Sequence, residues 1–132
     1  MINLVDDAII SEKENYSEKL KKVNIQLEKK PNDVQLLLEK SSCLRHLNRY
    51  NEAIKIHDLL ISLDEKNTEF IFMKGILLIE CGKCEESIQY FDKVLEINPN
   101  NRDALFNKGL ALKHSGNEID AKECMRKALK SH

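Results

Sequence analysis

The sequence predicts an all-α fold, an α-α superhelix or solenoid of antiparallel helix pairs, and three observations predict it. The first is a period. Gly75 and Gly109 stand 34 residues apart, Ser41 stands 34 before Gly75, and Asn48, Gly82 and Gly116 keep the same step. Ala53, Ser87 and Ala121 form another small-residue column, Tyr16 and Tyr50 are one step apart, and Pro31 and Pro99 are two. A fixed interval of this length marks a repeat array, in which no unit buries its apolar face alone and stacking builds the core. The second is apolar spacing: Leu37, Leu44 and Leu47, then Ile71 and Leu78, then Leu105 and Leu112 fall on helical stripes. The third is that no run alternates apolar and polar residues over a strand's length.

The elements follow in order. Breaks at Lys30-Pro31-Asn32-Asp33, Asp64-Glu65-Lys66-Asn67 and Asn98-Pro99-Asn100-Asn101 divide the chain into 1–33, 34–67, 68–101 and 102–132. Residues 1–33 read as a degenerate N-terminal repeat. Tyr16, Glu18, Leu20, Leu27, Glu28, Pro31 and Asn32 fall in the frame of the later units, whereas Asp6-Asp7 stand at the small-residue column with Lys19 opposite. One long helix over about 5–29, capping the array, is the alternative. Either arrangement is expected to bury Ile2, Val5, Ile9, Leu20, Val23 and Leu27 against the next pair.

In each later segment a first helix ends at Leu47-Asn48-Arg49, Cys81-Gly82-Lys83 or Ser115-Gly116-Asn117, where Asn or Gly can take the left-handed conformation that closes a helix. Second helices follow over roughly 50–63, 85–97 and 118–130. The last carries Glu118, Asp120, Lys122, Glu123, Arg126, Lys127 and Lys130, and its Lys-rich end suits the negative pole of the helix dipole. If Ile119, Met125 or Leu129 stay exposed there, the C-terminal helix offers copies of the chain a surface for homo-oligomerisation.

Bulk composition narrows the function. The chain has 132 residues, enough for one domain with a core, and 42% apolar with 33% charged residues fits a soluble, mostly helical protein. A net charge of −1 leaves no basic footprint for nucleic acid and no attraction to an acidic membrane surface. The opening Met1-Ile2-Asn3-Leu4-Val5-Asp6-Asp7 puts acids where a signal peptide needs a basic flank and a long apolar run. No stretch reaches the length of a membrane span. Four cysteines without an export signal read as thiols, so a cytoplasmic location is expected.

Cys81-Gly82-Lys83-Cys84 is the one local motif with chemical precedent, as a redox pair or half of a zinc site. Neither Cys43 nor Cys124 supplies a second ligand pair, and the strand–helix–strand context of a redox motif is missing. Cys43 shares a column with Leu77 and Ala111 and reads as a small buried hydrophobe. His57 shares one with Phe91 and Met125 and reads as core filler, while His46 and His114 are two repeats apart, on the order of 20 Å, too far to share a metal. No nucleophile–base pairing, phosphate loop or paired-carboxylate motif appears, so neither an enzyme nor a cofactor is expected.

These columns resemble the tetratricopeptide repeat family, whose signature is a large apolar residue, a Leu-Gly pair three residues on, a Tyr, and later an Ala, an aromatic and a Pro. Segment 68–101 reads Ile71, Lys74-Gly75, Leu78, Ser87, Phe91, Pro99, and the last reads Leu105, Lys108-Gly109, Leu112, Ala121, Met125. Segment 34–67 reads Leu37, Lys40-Ser41, Leu44, Ala53, His57, with Glu65 in place of the Pro. The family's Trp is aliphatic throughout, its Leu before the Gly is Lys, and one Gly is Ser. Side-chain sizes are kept, small at the helix crossing and bulky around it.

The resemblance implies that the first helix of each pair lines an inner groove. By matching columns it carries Gln35, Leu38, Ser42, Arg45 and His46, then Glu69, Phe72, Ile76, Ile79 and Glu80, then Asp103, Phe106, Leu110, Lys113 and His114. Asn67, Asn100 and Asn101 would stand at the edge. An apolar strip of Leu38, Phe72, Ile76, Ile79, Phe106 and Leu110 would be flanked by Glu69 and Asp103 on one side and Arg45 and Lys113 on the other. Family members that grip a chaperone's C-terminal carboxylate use Lys, Arg and Asn at places that here hold Leu38, Ser42, Met73, Asp103 and Asn107, and Asp103 would repel that group. The implied function is a protein-interaction module for a peptide or amphipathic helix. Phe72 and Phe106 would be the anchors, each contributing ~1.5–3 kcal/mol by burial. Two alternatives stand beside it: a self-assembling subunit whose groove is filled by residues 1–30 or a second copy, and a thiol or metal sensor using Cys81 and Cys84.

Overall fold

A computed structural model of the chain describes residues 4–130, and among them every regular element is a helix. They are α1 (Leu4–Lys29), α2 (Val34–His46), α3 (Tyr50–Leu63), α4 (Thr68–Glu80), α5 (Cys84–Ile97), α6 (Arg102–His114) and α7 (Glu118–Lys130). Helix α5 begins one residue earlier than the spacing predicts.

The period sets the helix ends. Asp33, Asn67 and Asn101 cap α2, α4 and α6: their side-chain oxygens accept the amides of Leu36 at 3.0 Å, of Glu69 and Phe70 at 3.1 and 3.4 Å, and of Ala104 at 2.9 Å. At the far ends Asn48, Gly82 and Gly116 take positive φ of 59°, 85° and 88°. The next amide then reaches back to close each helix, Arg49 to the Leu44 carbonyl, Lys83 to Leu78 and Asn117 to Leu112, at 2.8, 2.8 and 2.9 Å. Start and stop chemistry thus recurs every 34 residues, and α2, α4 and α6 share a length of 13 residues.

The chain divides within α3 into two units, Met1–Ile56 and His57–His132. In the first, α1 packs on α2, and Leu20 and Val23 of α1 and Leu37, Cys43 and Leu44 of α2 are buried. The Tyr16 ring stacks on His46, the last residue of α2, with centroids 4.1 Å apart. Helix α1 runs unbroken for 26 residues, so its N-terminal half extends past the end of α2. This corrects the burial expected of Val5 and Ile9, which are exposed because α2 stops at the level of Tyr16. Leu20 and Val23 are buried, Leu27 is half-buried, and Ile2 lies outside the described residues.

In the second unit α4 packs on α5, α5 on α6 and α6 on α7, while α4 also touches α6. Phe91, Leu77, Val94 and Leu60 are its largest fully buried apolar side chains. The small-residue column earns its place at the crossings. A Cβ on Gly75 would stand 2.8 Å from the Phe91 ring, and one on Gly109 would stand 2.9 Å from Met125 Cγ and 3.3 Å from the Ala121 carbonyl. Small residues there let second helices press bulky side chains against first helices.

Candidate functional site

Helices α4 and α6 are the first helices of successive repeats, and a cleft of about 440 Å³ opens between them. Thr68, Glu69, Phe72 and Met73 line it from α4, with Asn101 and Asp103 from the start of α6. Glu69, Phe72 and Asp103, expected from the sequence to line the groove, and Asn101, expected at its edge, therefore share one cleft. Met73, at one of the groove places named for carboxylate-gripping members of the family, joins them, and Thr68 joins unexpectedly. Met73 had a signal, since its column holds Glu39 and Asn107 in the other repeats and an apolar residue stands out there. Thr68 had none.

The side chains differ in how open they are. Glu69 and Asp103 are exposed in the first turns of their helices, where the positive pole of the dipole favours an anion. Phe72 is half-buried: its ring lies edge-on to Phe91, centroids 5.7 Å apart, and packs against Ile71, Val94 and Ala104. Part of Phe72 is thus committed to the core. Phe106, one period later, is 48% exposed. Ile76 and Leu110 follow one turn after Phe72 and Phe106, so they lie on the same helix faces, half-buried. Ile79 is half-buried and Lys113 exposed. In the first unit, Leu38 and Arg45 are half-buried on α2. The arrangement offers an apolar strip with carboxylates at one end, which suits binding a chain segment.

The other reactive side chains are structural in their surroundings. Cys81 caps the end of α4, its thiol donating to the Leu78 carbonyl at 3.4 Å, and Cys84 opens α5. Among the described residues no group of three or more His, Cys, Asp or Glu side chains could hold a metal ion. Cys43 and Cys124 are buried, and burial pushes both thiols up. His57 is buried, which pushes its imidazole down, and its Nδ1 has no hydrogen-bond partner. No helix among the described residues is long and apolar enough to cross a membrane.

Family models of the tetratricopeptide repeat match residues 34–67, 68–101 and 90–123. No curated protein matches the sequence. Among solved structures the chain is similar to YrrB, a tetratricopeptide repeat protein with an unusual peptide-binding site, at 26% identity and a TM-score of 0.80, covering 91% of this chain and 62% of that one. It is also similar to MamA 41-end from Desulfovibrio magneticus RS-1, at 14% identity and a TM-score of 0.80, covering 92% and 68%. A third is MamA of MSR-1, at 16% identity and a TM-score of 0.77, covering 88% and 67%. The chain thus spans about two thirds or less of the length of these structures. The two MamA likenesses speak for fold alone. That fold is the expected one, all-α and built of antiparallel helix pairs of the α-α superhelix class.

Proposed function

The chain belongs to the tetratricopeptide repeat family, and from that premise we propose that it binds a peptide or amphipathic helix of another protein along the first-helix face of α4 and α6. The family typically serves protein–protein interaction and is usually non-catalytic. The observation that carries the finer reading is the cleft that gathers Glu69, Phe72 and Asp103 beside an open Phe106. Apolar side chains of the ligand lie against Phe72, Ile76, Phe106 and Leu110, and a Lys or Arg of the ligand meets Glu69 and Asp103. Lys113 receives an acid at the other end of α6. Ile79 extends this face on α4, and Leu38 and Arg45 hold the matching columns on α2 within the first unit. YrrB, whose peptide-binding site is named above, supports a peptide as the ligand class.

Selection from a displayed peptide library on the wild-type chain tests this. Selected peptides are expected to pair apolar residues with a cation, and to bind Phe106→Glu at least ~10-fold more weakly, the loss typical of a central anchor. Glu69→Lys with Asp103→Lys should reverse the preference for basic residues. Peptides that bind all three proteins equally would remove the site from this face.

A second reading, self-association through α7, is favoured by Ile119 and Leu129, which are 82% and 76% exposed. A concentration-dependent mass that Leu129→Glu abolishes would establish it.

A further inference from the structure

The N-terminal half of α1 carries core residues with no core around them. In the 34-residue frame Ile9 and Ile10 correspond to Cys43 and Leu44, to Leu77 and Leu78, and to Ala111 and Leu112. All six of those are buried, whereas Ile9 is 47% and Ile10 54% exposed. Residues 4–13 are thus placed as the first helix of a repeat, yet they continue straight into the second. The reason is at position 14. There the frame calls for the residue that Asn48, Gly82 and Gly116 supply, each at positive φ. Glu14 would be strained in that conformation, so the helix runs on instead of turning back.

The straight helix leaves its own slot unfilled. On α7, Ala121 and Cys124 cluster with Leu112 of α6, and Met125 meets Gly109 of that helix. The α1 residues in those columns are Lys19, Lys22 and Val23. They form one wall of an open cleft of about 450 Å³, whose other wall is Glu39, Ser42 and Cys43 of α2. The cleft therefore lies where the first helix of that repeat would pack. Its charge also fits. Residues 4–13 hold Asp6, Asp7 and Glu12 against one Lys, and Asp7 occupies the small-residue column that crosses the column of Lys19.

We propose that residues 4–13 of a second copy fill this cleft, and that the exchange is reciprocal, giving a dimer in which each chain completes the other's first repeat. A straight α1 cannot cover its own face, but it presents an amphipathic helix of the right register to a neighbour. Ile9 and Ile10 become buried beside Cys43 and Val23, and Asp7 meets Lys19. Exchange of an identical element is a low-cost route to dimers when a hinge stays extended.

Light scattering over a concentration series, with amide hydrogen exchange of residues 4–13, tests the exchange in the full chain. The wild type is expected to pass from the mass of one chain to that of two, with residues 4–13 gaining protection. Ile9→Glu with Ile10→Glu should keep the single-chain mass and leave circular dichroism unchanged, because both side chains are already exposed. Glu14→Gly should also give the single-chain mass, but with residues 4–13 protected, because the hinge can now turn each segment into its own cleft. A wild type that stays single-chain throughout would overturn the proposal. So would a dimer that survives in either variant, and one that only Leu129→Glu dissolves would belong to α7.

Discussion

The ammonium of Lys74 lies 2.5 Å from the Asp58 carboxylate and 4.4 Å from the centre of the Tyr90 ring. One period later Lys108 lies 2.6 Å from Asp92. Each pair ties a first helix to the second helix of the preceding repeat. This accounts for the Lys that stands where the family signature has Leu. Its stem fills the same apolar position, and its head meets an acid that recurs with the same period.

The Lys74 pair gives stability with a defined pH window. Burial alone would push the ammonium down, but Asp58 and Tyr90 outweigh it and hold the pKa above the ordinary lysine value. A raised folded value means that the contribution is full below the unfolded pKa of about 10.4 and is lost as pH rises through the folded one. Lys74→Met is expected to cost about 1 kcal/mol at pH 7, as for a partly shielded ion pair. It should also flatten the fall in stability above about pH 10. Urea melts from neutral to alkaline pH measure both, and an unchanged alkaline slope would assign the fall to other groups.

Gly75 and Gly109 occupy the same column but should not respond equally to Ala. The Gly75 position faces the ring of fully buried Phe91, which has nowhere to move, whereas the nearest atom to Gly109 belongs to half-buried, flexible Met125. Gly75→Ala is expected to lose about 1–3 kcal/mol by overpacking, despite the better helix propensity of Ala. Gly109→Ala should lose less, because Met125 can swing aside and only the Ala121 carbonyl resists. Thermal melts of the two variants give the comparison directly. Equal losses would mean that the backbone, not the facing side chain, sets the limit at this column.

The features read best from the sequence were those the period repeats. Turn residues at 48, 82 and 116 and small residues at 41, 75 and 109 each have a local steric cause, so spacing alone located them. The N-terminal segment was legible only in its second half. Its first half keeps apolar residues in core columns but carries Glu14 where the later units have a residue at positive φ, and the helix runs through that position unbroken. The candidate site was half legible. Spacing placed Phe72 and Phe106 on matching faces, but the share of each ring taken by the core depends on Phe91 lying edge-on to Phe72, which no single-helix pattern encodes.

His57 shows the cost of a polar residue in an apolar column. Its Nδ1 is buried without a partner, and burial holds the imidazole below its ordinary pKa. A lowered folded value means that the neutral ring's contribution is present above about pH 6.5 and is lost as pH falls toward the folded pKa. His57→Phe places the residue of the Phe91 position one repeat earlier. It removes the unpartnered nitrogen but also the ring's hydrogen bond with the Phe70 backbone, so a gain of about 1 kcal/mol or less is expected at pH 7, growing below pH 6.5. Melts at pH 5, 6 and 7 would test the slope. A gain that stays constant with pH would show that packing, not protonation, separates the two side chains.

Phe72 and Phe106 share a column, yet only one can report on binding without disturbing the fold. Truncating Phe72 removes its edge contact with Phe91 and its packing on Ile71, Val94 and Ala104. Phe72→Ala should therefore cost about 2–3 kcal/mol, below the ~3–5 kcal/mol of a fully buried aromatic because the ring is only half-buried. Phe106→Ala should stay within about 1 kcal/mol of wild type, since nearly half its surface already meets water. Chemical denaturation of the two variants decides this. If they lose equal stability, Phe106 is as much a core residue as Phe72, and weaker peptide binding by Phe106→Glu would then report on folding. If the losses separate as expected, an affinity change at Phe106 belongs to the recognition face itself.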